Sequence, residues 1–173
     1  FFVRATSSST ISFDPEDQVT DLTSNTDGGF FRTSSTQMIR LTITNQTSTD
    51  EAVITSSENG TPSLDQGLDA YKFMNPGLSL YSLAGETALA IQALPEITEA
   101  VQIPLGYQTT ATGEAQFSVD LSAFSSSEDI YLHDQLIGNK IDLGANPSPT
   151  FTLDNTQSQT RFVLEVSARL LSA

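Results

Sequence analysis

Hydrophobic and polar positions alternate along much of this chain in short runs. The clearest run is residues 38–44, MIRLTIT. Ile39, Leu41 and Ile43 fall on one side, and Met38, Arg40, Thr42 and Thr44 on the other. A period of two marks a strand with one buried face. Residues 45–50 are a polar turn and residues 51–56, EAVITS, supply an antiparallel partner, so 38–56 is predicted as a β-hairpin. Residues 113–121, GEAQFSVDL, alternate again, with Ala115, Phe117, Val119 and Leu121 on one side.

The stretch 69–106 organises the rest. It holds strand candidates at 78–83 and 88–94, joined by Ala84-Gly85-Glu86, and a third at 101–105. Leu78, Leu80, Leu83, Leu89, Ile91 and Leu94 are the expected buried set. Further strands are predicted at 1–5, 10–13, from 30, in a hairpin over 130–143 turning at Gly138-Asn139, at 150–153 and at 161–166. Residues 64–73 admit one short helical turn, interrupted by Gly67 and stopped by Pro76-Gly77. About eleven short strands with no amphipathic helix predict an all-β fold, an antiparallel β-sandwich of jelly-roll or Ig-like type.

Length and composition refine this picture. A chain of 173 residues fits a single sandwich module spanning 1–173, with two packed sub-sandwiches divided near 58–77 as the alternative. Such a chain buries roughly 70% of the surface it exposes unfolded, so it needs no covalent staple. The absence of Cys fits, and it removes disulfides, thiol catalysis and thiolate metal sites together. Ser and Thr number 22 each, while Lys occurs only as Lys72 and Lys140. Thr suits solvated strand faces and Ser suits turns. Seven basic and 21 acidic residues give a net charge of −14. That surface repels nucleic-acid phosphates and anionic lipid heads, so neither nucleic acid nor an inserted membrane is an expected partner. No apolar run approaches the ~20 residues of a membrane-spanning helix. The opening Phe1-Phe2-Val3-Arg4-Ala5 reads as mid-strand with no charged leader, as in a processed form or fragment of a longer secreted protein.

Candidate chemistry is sparse. His133 is the only His, which leaves no His-based zinc site. Asp134 beside it would point to the opposite strand face, and no nucleophile elbow is present. Acidic residues are too many to select a glycosidase pair. An enzyme is not expected. The best metal candidate is Ca²⁺, which takes six to eight oxygen ligands. The loop at 14–29 offers Asp14, Glu16, Asp17 and Asp21 as its ligands, with Asp27 nearby, and Asp65 with Asp69 is a second candidate. No other cofactor is indicated. Tyr81 and Tyr131 are the candidate platforms for a glycan, set against the plainer reading of amphipathic edge tyrosines. Asn45-Gln46-Thr47 and Asn59-Gly60-Thr61 fit the N-glycosylation pattern, which is common by chance.

A series of short motifs runs through the chain in order: Phe1-Phe2-Val3-Arg4-Ala5-Thr6, Phe30-Phe31-Arg32, Ile39-Arg40-Leu41, Asp69-Ala70-Tyr71-Lys72 and Leu80-Tyr81-Ser82. It continues with Leu89 to Pro95, Ile103-Pro104-Leu105-Gly106, Ile130-Tyr131-Leu132 with Asp134, and Arg161-Phe162-Val163-Leu164. Together these resemble a β-sandwich region of large secreted Bacteroidota proteins, the region that usually precedes the C-terminal sorting domain of type IX secretion. The resemblance implies an extracellular, cell-surface location and no catalytic residues. No sorting domain follows Val166 in this sequence.

The expected function is therefore a non-enzymatic structural or adhesive module of a surface protein, with a filament subunit assembled by strand exchange as its sharpest form. Its partners would be other copies or neighbouring domains of the same protein. The apolar Phe1, Phe2 and Val3, within residues 1–5, and residues 161–171 are the candidate lent or edge strands. The alternative is a Ca²⁺-assisted carbohydrate-binding module attached to a secreted enzyme, with glycans as partners.

Overall fold

The computed structural model describes residues 37–123, 128–153 and 160–168, together with residues 8 and 10. The chain divides into two units, Phe1–Ser34 and Ser35–Ala173. The predicted strands at 1–5, 10–13 (apart from residue 10) and 30–32, and the acidic loop at 14–29, lie outside the described residues. Every described strand belongs to the second unit.

The described residues of this second unit are all β, with eleven strands and no helix. They are β1 Met38–Thr44, β2 Thr49–Ser56, β3 Ala70–Tyr71, β4 Leu78–Ala84, β5 Thr87–Leu94, β6 Val101–Thr109, β7 Gly113–Asp120, β8 Glu128–Asp134, β9 Asn139–Asp142, β10 Thr150–Leu153 and β11 Phe162–Ala168. The order across the sheet is β10-β7-β1-β2-β5-β4-β6-β11-β8-β9, with β3 on β5. Pairing is antiparallel except between β2 and β5. The sheet is mixed and strongly curled into a half-barrel.

The curl brings distant strands onto one core. Ile39, Leu41 and Ile43 of β1 are fully buried, as their alternation requires, and meet Leu78 and Leu80 of β4, Leu105 of β6, Phe117 of β7 and Leu164 of β11 in one cluster. β5 is where the sheet changes partner. Its first residues pair with β4 through Ser82↔Leu89 and Leu83↔Ala88, and its last with β2 through Val53↔Ile91 to Ser56↔Leu94. Asp50 of β2 fastens this junction: its Oδ2 accepts the Leu80 N–H of β4 at 2.7 Å and forms a buried ion pair with Lys72.

The predicted hairpins at 38–56 and 130–143 are present, paired from Met38↔Thr55 to Thr44↔Thr49 and from Tyr131↔Asp142 to Asp134↔Asn139. The second turns at 135–138 and not at Gly138-Asn139, because Asn139 already pairs with Asp134. Two further expectations are corrected. Residues 64–73 form no helical turn; the chain there runs through turns into β3, whose Ala70 pairs with Ile91. The expected buried set mixed both faces of its strands. Leu78, Leu80 and Leu94 enter the main core, and Leu89 is buried outside it. By the two-residue period Leu83 and Ile91 face the other way, Leu83 half-buried and Ile91 39% exposed.

Candidate functional site

The two ends of the curled sheet, β9 and β10, flank a cleft of about 370 Å³. Ile137, Asn139 and Ile141 line it from the β8–β9 hairpin, and Pro149, Thr150 and Phe151 from the β10 side. Phe117 and Phe162 lie at its base. Phe117 stacks on Phe151 with centroids 4.9 Å apart, and Phe162 meets both rings edge-on at 5.0 and 4.9 Å. Such offset and edge-to-face contacts suit the ring quadrupoles and hold the base rigid. At the mouth, Leu136 and Ile137 are exposed at the hairpin tip.

Among the described residues, neither flanking strand has a partner on its outer edge. The Phe117 and Val119 N–H groups donate to the Pro149 and Pro147 carbonyls, so Pro149 and Phe151 turn their backbone groups toward β7, and Thr150 and Thr152 turn theirs away from it. On the other side, the Leu143 N–H donates to the Ile130 carbonyl, which places Ile141 and Leu143 toward β8 and Lys140 on the outer edge. The Thr152 carbonyl is already taken by Arg161.

Arg161 closes the back of the cleft. Its Nε and Nη2 donate to Asp134 Oδ1 and Oδ2 at 2.9 and 2.6 Å, and its Nη1 donates to the Thr152 carbonyl at 2.7 Å. The guanidinium lies 4.8 Å from the Phe162 ring centre and 5.2 Å from that of Phe151. The Asp134 carboxylate beside it holds the Arg161 pKa above its ordinary value, against the opposing effect of burial. Asp134 Oδ1 also accepts the Leu136 N–H. The pair is thus consumed internally, and it acts as a clamp joining β8, β10 and the start of β11.

A second polar group lies on the outer face. Glu165 of β11 takes His133 Nε2 at 2.8 Å on one oxygen and Lys140 Nζ at 3.0 Å on the other. Lys140 Nζ also sits 4.1 Å from the Tyr131 ring centre. The Lys140 hydrogen bond, foremost, holds the Glu165 carboxyl below its usual range. A shallow hollow of about 300 Å³ beside them is lined by His133, Lys140, Gln102 and Val163. These side chains bind one another, and among the described residues no Ser or Thr lines the hollow.

Asp14, Glu16, Asp17 and Asp21, and likewise Phe1, Phe2 and Val3, lie outside the described residues. Asp65 and Asp69 serve the backbone: Asp65 accepts the Thr61 N–H and hydroxyl, and Asp69 accepts the Asp65 and Ala93 N–H groups. Among the described residues no group of three or more His, Asp and Glu is placed to hold a metal ion. Asn45 likewise caps its own turn, accepting the Thr47 and Ser48 N–H groups. Tyr81 is 2% exposed and lies across from Gly106, where a Cβ would overlap the ring edge. Burial pushes its phenol pKa up. Tyr131 is half-buried beneath Lys140. Sequence reasoning missed the Arg161–Asp134 clamp and the Phe117–Phe151–Phe162 base. The available signal was a lone Arg set directly against an apolar strand, Arg161-Phe162-Val163-Leu164.

No curated protein and no solved structure matches the chain at a significant level. A family profile matches residues 1–166, and by that match the chain belongs to a family described as a domain of unknown function (DUF8693).

Proposed function

We propose that the chain is a non-enzymatic structural or adhesive module of a secreted bacterial surface protein, joined to further copies by an exchanged strand. The observation that carries this reading is the cleft between β9 and β10. Its lining is largely apolar, its flanking strands have no outer partner among the described residues, and the charged pair at its back is closed upon itself. A sheet edge beside an apolar interior suits strand addition, in which backbone bonds supply affinity and alternate side chains fill pockets. On this reading the half-barrel is a jelly-roll-like sandwich variant. The resemblance of the ordered motifs to a region of type IX-secreted Bacteroidota proteins supports a cell-surface setting.

Of the two candidate lent strands, the second is already committed. β11 pairs with β6 on one edge and β8 on the other, with Leu164 and Val166 fully buried. Lending it would dismantle the core. Residues 1–5 remain as the donor. The glycan-binding alternative has less support, because Tyr81 is buried and Tyr131 is occupied by Lys140. Light scattering after size-exclusion chromatography tests the proposal. Mass should rise with concentration for the intact chain, and deletion of residues 1–5 should abolish the rise. A monomer at every concentration sinks the exchange reading.

A further inference from the structure

We infer that Lys72 and Asp50 join in an intramolecular amide, an isopeptide bond that the chain forms on itself. The inference does not depend on strand exchange. It assigns a covalent modification site to the buried pair where β2, β3 and β5 meet.

The first observation is the choice of residue. Lys occurs only twice in 173 residues, against 21 acids. The Lys140 side chain is 45% exposed, whereas that of Lys72 is 5% exposed and that of Asp50 11%. Lys is seldom buried this deeply. A buried ion pair that only holds strands together favours Arg, whose fork matches a carboxylate. This chain uses Arg in that way at Arg161–Asp134, with two parallel hydrogen bonds. At Asp50 it uses Lys, whose amine becomes a nucleophile once it gives up a proton.

The second is geometry. Asp50 keeps the period of Ala52 and Ile54, which enter the main core, so its carboxylate lies on the core face of β2. The Lys72 backbone is fixed on β5, its N–H donating to the Ala88 carbonyl at 3.0 Å. From there the side chain spans to β2. Its Nζ lies 2.5 Å from Asp50 Oδ2 and donates to the Glu51 carbonyl at 3.1 Å. Amine and carboxyl are thus held in contact before any reaction, which removes much of the entropic cost of joining them.

The third is the other partner of the carboxylate. The Leu80 N–H donates to the same Oδ2 at 2.7 Å. A fixed backbone donor there stabilises the negative charge that Oδ2 gathers when nitrogen adds to Cγ. The step balances without any further reagent. The ammonium passes one proton to Oδ1, a transfer that exclusion of water favours because it removes both charges. The Nζ lone pair then forms the N–Cγ bond. A second proton moves from nitrogen to Oδ1, the Cγ–Oδ1 bond breaks, and Oδ1 leaves as water. The amide keeps one N–H, and nothing is oxidised or reduced.

Mass spectrometry of the full chain, unfolded in denaturant, tests the bond. Most molecules should be lighter than the sequence mass by one water. Trypsin cuts after Lys and Arg, and between Arg40 and Lys140 its only site is Lys72. An amide on Nζ blocks that site. The digest should therefore contain fragment 41–140, lighter by one water, with fragment spectra placing the link between Asp50 and Lys72. Lys72→Arg and Asp50→Ala should each show the full mass and cleavage after residue 72. A parent chain of full mass, cut after Lys72, would overturn the inference. So would a water loss that persists in Lys72→Arg, which would mark dehydration elsewhere, as at Asp27-Gly28. Because the link is mapped directly on the unfolded parent chain, the result stands even where a variant folds poorly.

Discussion

Arg161 holds Asp134 by two parallel hydrogen bonds, Nε to Oδ1 at 2.9 Å and Nη2 to Oδ2 at 2.6 Å, with both side chains almost wholly removed from water. The fork geometry of guanidinium on carboxylate leaves Nη1 free to reach the Thr152 carbonyl. One side chain therefore ties β8 to β10, strands that sit near opposite ends of the sheet order. This contact bridges the two ends of the sheet beside the cleft, and the aromatic stack beneath supplies the apolar surface.

Removing one partner of a buried ion pair leaves the other charged and unpaired. Asp134→Ala is expected to cost about 3–5 kcal/mol in chemical denaturation. Replacing both residues, as Asp134→Leu with Arg161→Met, should cost clearly less than Asp134→Ala alone. A double replacement as costly as the single one would show that the loss lies in packing rather than in the orphaned charge.

Tyr81 and Gly106 face each other across β4 and β6, and the ring occupies the space where a Cβ would sit. Gly106→Ala should destabilise the fold by about 1–3 kcal/mol through overpacking. Tyr81→Leu should relieve most of that clash, so the two substitutions together are non-additive in denaturation experiments. Strict additivity would mean that the ring moves aside freely.

Asp50 links β2 to β4 through the Leu80 N–H and neutralises the buried Lys72. Asp50→Ala leaves a backbone donor and an ammonium without this partner at the point where β5 changes neighbours. A loss of roughly 2–4 kcal/mol is expected from an orphaned buried group of this kind. Lys72→Met on the same background should recover part of it, read from the denaturation midpoint.

Glu165 sets an acid limit. Lys140 first, then His133, hold its folded-state carboxyl below the usual Glu value. The stabilisation is therefore complete above the unfolded-state pKa of about 4.3 and fades as pH falls through the lower, folded value. Glu165→Gln should be less stable than the parent at pH 7, and the gap should close as the pH falls through and below the ordinary carboxylate range. A gap that stayed constant with pH would place the loss in packing.

The fold was legible where one strand carries its own signal. Ile39, Leu41 and Ile43 announce a half-buried strand because side chains alternate every residue, and the partner lies just beyond a polar turn. Relationships set by curl were not legible. Nothing local to Tyr81 points to Gly106, twenty-five residues on, and without that pairing a Tyr between apolar neighbours reads equally as exposed or buried. Arg161 and Asp134 were visible as charges at strand ends but gave no sign of each other. Ile91 misled because it looks like Leu89 and Leu94, while it faces away from the main core that Leu94 enters and stays exposed. The cleft is likewise a property of the sheet's two ends, which sequence places at 139–142 and 150–153 but does not bring face to face.

The most direct measurement is amide hydrogen exchange at Thr150, Thr152 and Lys140 on the intact chain across a hundredfold range of protein concentration. These N–H groups lie on the outer edges of β9 and β10, the seam that flanks the cleft, where no partner strand occurs among the described residues, so an arriving strand must protect them. If copies exchange strands there, their exchange should slow by roughly tenfold or more as concentration rises, while core amides such as those of Leu41 and Leu164 stay unchanged. Exchange at these edge amides that is equally fast at every concentration would contradict strand exchange at the seam.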